Sequence, residues 1–126
     1  MKPQVLLYSR DRNFGGLLAE ALSGTASVLV APTVADALQI VCQRGQELAF
    51  ALMDFDGGCR GMTLLSAVHS CYEQLPILVT TSEDAEHAAA IAFANGARGC
   101  FTKPDQAATL TAAIADLNET HHLAAA

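Results

Sequence analysis

Charge is scarce in this chain. Only 16% of its 126 residues are charged, against 52% apolar. So apolar a composition excludes an intrinsically disordered segment and suits a sheet buried on both faces. Basic residues are the scarcer sign: Lys and Arg number 7 against 13 Asp and Glu, for a formal charge of −6. A nucleic-acid surface needs the opposite balance, so this domain is not expected to bind nucleic acid directly. That leaves open a DNA-binding domain elsewhere in an assembly. No apolar run approaches the roughly 20 residues of a membrane span. The first run, 5–8, is far too short for the apolar core of a secretory signal. The expectation is a cytoplasmic protein with no membrane partner. Paired cysteines are missing as well. Cys42, Cys59, Cys71 and Cys100 make no CxxC, and no His stands at zinc-finger spacing from them. They are expected to be reduced, small hydrophobes. There is no internal repeat, low-complexity linker or domain boundary. One domain over 1–120 and a tail over 121–126 are expected.

What is present is an alternation of short apolar runs with helical stripes. Residues 48–54, Leu-Ala-Phe-Ala-Leu-Met-Asp, are an apolar run that ends in a carboxylate. A run of that length bounded by turn residues predicts a buried central strand. Around it, 5–8, 28–30, 76–81 and 100–102 predict the other four strands. Pro76 stands at a strand's first position, where proline is tolerated. Phe14, Leu17, Leu18, Ala21 and Leu22 recur at helical spacing, as do Val34, Ala37, Leu38 and Val41. Thr33 with Asp36 three residues on resembles a capping box. Gly45 is expected to stop that second helix, and Asn95-Gly96 the fourth. Leu64, Leu65, Val68 and Cys71 mark the third helix, and a fifth is expected from Pro104 to about Asn118. Strict alternation of strands and helices predicts an α/β fold: a single parallel sheet with helices on both faces.

Three of these strand ends carry polar groups. The third ends in Asp54, the fourth in Thr81, and the fifth is followed by Lys103-Pro104. In a parallel sheet those ends share one rim, and open α/β sheets place their ligands at that rim. A carboxylate, a hydroxyl and an ammonium meeting there suit an aspartyl-phosphate site. Asp54 would attack phosphorus, Thr81 would donate to a phosphoryl oxygen, and Lys103 would neutralise the arriving charge.

The same residues carry a family resemblance over nearly the whole chain. Leu52-Met53-Asp54 resembles the phospho-acceptor strand of response-regulator receiver domains. Gly61-Met62-Thr63-Leu64-Leu65 is similar to the start of their third helix. Pro76-Ile77-Leu78-Val79-Thr80-Thr81 resembles their fourth strand with its hydroxyl, and Gly96-Ala97-Arg98-Gly99-Cys100-Phe101-Thr102-Lys103-Pro104 matches most closely. The resemblance implies a flavodoxin-like (βα)5 fold with strand order 2-1-3-4-5 and a cis Lys103-Pro104 peptide. It also implies a role in two-component phosphorelay signalling, with a histidine kinase or other signalling protein as partner. A homodimer through helix four, strand five and helix five is a further implied contact.

The chain departs from the family at two places. The acidic pair that holds Mg²⁺ after strand one is replaced, in an ungapped reading, by Ser9 and Arg10. Mg²⁺ binding is therefore expected to be impaired or absent. Asp54, the backbone carbonyl or side chain of Asp56, and Asp11 are the remaining candidate metal ligands. Alternatively the Arg10 guanidinium lies against Asp54 in the metal's place. The family's switch aromatic is Cys100 here, and Phe101 should point to the strand's other face. Two other readings stand beside the phospho-acceptor. One is a receiver-like interaction module that works without phosphate. The other is a phosphatase, because Asp54-Phe55-Asp56-Gly57 is similar to the nucleophile motif of haloacid-dehalogenase-like enzymes. That motif belongs on a first strand, whereas here it follows the third, so a non-enzymatic role is expected.

Overall fold

The computed structural model describes residues 3–22, 24, 26–55, 60–81 and 85–102. Five strands, β1 (Gln4–Tyr8), β2 (Ser27–Ala31), β3 (Leu48–Asp54), β4 (Ile77–Thr81) and β5 (Gly99–Thr102), alternate with four described helices. These are α1 (Arg12–Leu22), α2 (Val34–Arg44), α3 (Arg60–Cys71) and α4 (Ala85–Ala94). The expected fifth helix, Asp56 and the Lys103-Pro104 peptide lie outside the described residues. All neighbouring strands pair in parallel, in the order β2-β1-β3-β4-β5. The chirality of parallel crossovers needs helices on both faces of such a sheet. The alternating run of strands and helices, and the strand order, are as the sequence led one to expect.

β3 sits at the centre and is buried along its whole length. Alternation along the strands sorts the core into two layers. On one face Leu6, Tyr8, Met53, Ile77 and Val79 pack against Ala37 and Val41 of α2, Leu64, Leu65 and Val68 of α3, and Ala92 of α4. On the other, Val5, Leu7, Phe50, Leu52 and Leu78 pack with Leu22 of α1. A register shift where Gln4 gives way to Val5 lets Ala49 and Phe50 both serve that second layer.

The Thr33 hydroxyl caps α2 as anticipated, accepting from the Asp36 amide at 3.1 Å. Thr33→Ala should destabilise the fold by about 1 kcal/mol, read as a lower urea midpoint, because that amide loses its acceptor. Gly45 ends α2 at its C-cap, as expected. It does so in the right-handed helical region (φ −53°) and leads into a 3-10 turn, Gly45–Glu47. Its missing side chain makes room for the Tyr72 ring, which a Cβ would meet. Gly96 is the left-handed stop after α4, at φ +108°. The His69 ring lies where a Gly96 Cβ would go, so His69 is a partly buried boundary residue. Cys42, Cys71 and Cys100 are free thiols. Cys42 and Cys71 are exposed rather than small core residues.

Candidate functional site

Ser9, Asp54, Thr80 and Thr81 are the buried polar residues of the described chain, and all four stand at the carboxyl ends of β1, β3 and β4. Backbone bonds fix the rim. The Ser9 amide donates to the Ala31 carbonyl at 3.2 Å, so the chain is still sheet-like one residue past β1. The Phe55 amide donates to the Thr80 carbonyl at 2.9 Å and holds Asp54 in place.

Asp54 is 3% exposed and Ser9 5% exposed. Their side chains meet. The Ser9 hydroxyl donates to Asp54 Oδ2 at 2.8 Å. It also accepts from the Asp11 amide at 3.1 Å and lies 3.1 Å from the Asp11 carbonyl. A hydroxyl has one proton, and the carboxylate is both the nearer and the stronger acceptor. Asp54 Oδ1 is 3.5 Å from the Thr80 hydroxyl, longer than the usual O–H···O range, so that contact is weak. The geometry follows from register. Asp54 is directly opposite Thr80 in the sheet, and Tyr8 opposite Met53, so Ser9 falls beside Asp54.

Sequence reasoning singled out Thr81 and passed over Thr80. Thr81 is buried at the same rim, one residue on from Thr80. The missed signal was the parity of the strands. Phe50, Leu52 and Asp54 share a face with Leu78 and Thr80, and with Val5, Leu7 and Ser9. Arg10 is exposed. The loop residue on the carboxylate is Ser9, because residue 9 continues the inward parity of β1 and residue 10 does not. The Asp11 carboxylate is exposed and accepts from the Asn13 amide at 3.1 Å, bracing the turn into α1. At the switch position, Cys100 packs against the α2–α3–α4 layer and Phe101 against the other, as expected from alternation. Partial burial pushes the Cys100 thiol up from its ordinary value, so it stays neutral.

The described donors do not fit a divalent-cation seat. Mg²⁺ takes oxygen lone pairs at near-octahedral positions. Here a hydroxyl proton points at the Asp54 oxygen on the β1 side, and Asp11 is turned to its own loop. Among the described residues no three Asp, Glu, His or Cys cluster as a metal site. Nor, among them, is any helix long and apolar enough to cross a membrane.

A buried carboxylate at the end of the central strand, in a parallel sheet of order 2-1-3-4-5, defines an open α/β scaffold rather than a particular chemistry. Over residues 12–115 the chain matches the response regulator receiver domain family, and it belongs to that family. Solved structures agree on the fold. A CheY-like receiver domain protein from Methanospirillum hungatei JF-1 superposes with a TM-score of 0.83 at 17% identity, covering 97% of this chain and 98% of the other. A receiver domain from Clostridium thermocellum gives 0.83 at 19% identity, covering 95% and 97%. NtrX from Brucella abortus gives 0.82 at 22% identity, covering 98% of this chain but 28% of its own length. Curated protein sequences yield no significant match. Receiver domains are signalling modules of two-component systems and typically bind Mg²⁺ in an acidic pocket.

Proposed function

We propose that this receiver domain accepts a phosphoryl group on Asp54 in a two-component phosphorelay. The observation that carries the reading is a buried carboxylate at the carboxyl end of the central strand, opposite a threonine and one strand from a serine. In such a step an Asp54 oxygen attacks phosphorus and the donor leaves with the bonding pair. Thr81, at the same rim, and Lys103, directly after the last β5 residue in sequence, would meet the added charge. The donor would be a histidine kinase or another signalling protein. The partner surface would include α4, where Phe93 and Ile91 are exposed, together with β5. A homodimer through that side fits the same reading, as do a cytoplasmic location and a domain spanning 1–120. Mg²⁺ support is weak in this reading, and no catalytic turnover is expected.

Incubation with acetyl phosphate and Mg²⁺, then intact mass, tests the proposal. Wild type should gain one phosphoryl group and Asp54→Ala none. An unchanged wild-type mass, or equal gain in the variant, would contradict it. In that event the Ser9 bond favours the second reading, an interaction module in which Asp54 is a structural carboxylate.

A further inference from the structure

We infer that the Ser9 hydroxyl sets the balance of phosphoryl transfer at Asp54. It favours the unphosphorylated carboxylate and makes that carboxylate a better leaving group, so the aspartyl phosphate is scarce and short-lived. The inference rests on the phospho-acceptor reading of Asp54 and names the residue that governs how long the phosphoryl group stays.

The hydroxyl is committed to the carboxylate. Its proton goes to Asp54 Oδ2 at 2.8 Å, between side chains that are both buried. The Asp11 amide donates to Ser9 Oγ at 3.1 Å and takes one of its lone pairs. The competing acceptor, the Asp11 carbonyl, already accepts from the Gly15 amide at 2.9 Å. Gly15 of α1 also backs onto the residue: a Cβ there would stand 3.4 Å from the Ser9 Cβ. The Thr80 hydroxyl, 3.5 Å from Oδ1, is a much weaker donor to the same group.

The consequence follows from charge. A hydrogen bond to an ionised acceptor is roughly twice as strong as one between neutral groups. When Asp54 attacks acetyl phosphate, a carboxylate oxygen bonds to phosphorus, the P–O bond of the donor breaks, and acetate leaves with the bonding pair. The Asp54 carboxyl thereby becomes a neutral acyl group, and its charge passes to the phosphoryl oxygens. Attack from Oδ1 leaves Ser9 on a carbonyl oxygen, and attack from Oδ2 leaves it on an ester oxygen. Either way its bond weakens. In hydrolysis a water oxygen bonds to phosphorus, the Asp54–phosphorus bond breaks, the carboxylate takes the pair, and the water proton passes to solvent. Negative charge then returns to the group that Ser9 faces, so the hydroxyl stabilises the departing carboxylate. Burial sharpens the difference, because a local hydrogen bond is electrostatically stronger away from water.

Intact mass at one fixed Mg²⁺ concentration reads the ratio of phosphorylated to unphosphorylated chain under excess acetyl phosphate, and then its decay once the donor is removed. Ser9→Ala should raise the ratio about fivefold or more and slow the decay. Ser9→Cys, close in size but a weak donor, should move both readouts the same way. Ser9→Thr keeps the hydroxyl and should stay nearer wild type than either. Adding Asp54→Asn to Ser9→Ala should abolish uptake. Circular dichroism checks that each variant is folded, and Ser9→Cys carries the comparison if Ser9→Ala is not. A residue that only supports the fold would lower the ratio when changed. A ratio that falls or stays the same in the folded variant, or a gain that survives Asp54→Asn, would overturn the inference while wild-type uptake kept the phospho-acceptor reading intact. Uptake by Ser9→Ala alone would support the inference in its strongest form, with wild-type Asp54 held unphosphorylated. Uptake by neither wild type nor variant would end the phospho-acceptor reading and this inference with it.

Discussion

Phe50→Ala should lower the unfolding free energy by about 3–5 kcal/mol, the range for deleting a fully buried ring from a packed core. Phe50 has no exposed surface and lies opposite Val5 on the central strand. Leu7, Leu22, Leu52 and Leu78 share its layer, so neighbours on strands and on α1 all lose contact when the ring goes. A sheet buried on both faces cannot collapse into the gap without moving one helical layer, so the cavity should persist. Against a typical total of about 5–15 kcal/mol the loss is large. Urea unfolding followed by far-ultraviolet circular dichroism checks it, through a lower midpoint at unchanged slope. Val30→Ala, on the exposed side of edge strand β2, is the control and should move stability by less than about 0.5 kcal/mol. Equal effects at the two positions would mean that the core is not where the structure puts it.

Ser9→Ala should cost about 1.5–3 kcal/mol, the range for a hydrogen bond to a charged group. The variant leaves a buried carboxylate one donor short, which water cannot readily replace at a 3% exposed side chain. Thr80→Val should cost less than about 1 kcal/mol, since its hydroxyl is 3.5 Å from Asp54 and bonds it weakly. The two hydroxyls touch the same group, so the comparison isolates distance. In an Asp54→Asn background, the Ser9→Ala penalty should shrink toward that of a neutral hydrogen bond, about 1 kcal/mol. Equal losses for Ser9→Ala and Thr80→Val would show that the seat is symmetric and that Ser9 has no privileged part.

Much of this was legible before any coordinates. Strand ends were readable because each apolar run meets a residue that cannot continue it, as Asp54 does for 48–54. The Thr33 cap and the Gly96 stop were local signals and needed no tertiary context. Gly45 ends α2 as read, but its second purpose was not visible in the sequence. The Tyr72 ring needs its lack of a side chain, and Tyr72 is 27 residues away in sequence. Thr80 and Thr81 could not be told apart by residue type. The Asp54–Thr80 register, set by which strands are neighbours, is what puts the Thr80 hydroxyl 3.5 Å from the carboxylate. Arg10 drew attention through its charge, yet position along the strand decides what enters a site. Counting inward parity from Val5 through Leu7 would have pointed to Ser9.

The central claim is that Asp54 is the atom-level acceptor of this receiver. The most direct test is to treat the protein with acetyl phosphate, reduce with tritiated borohydride, and sequence the labelled peptide. Borohydride converts an aspartyl phosphate to homoserine, so the label marks the carboxylate that carried the phosphoryl group. The account predicts homoserine at position 54 and no label in Asp54→Asn. Label at Asp11, Asp36 or any other carboxylate, with position 54 unchanged, would contradict it.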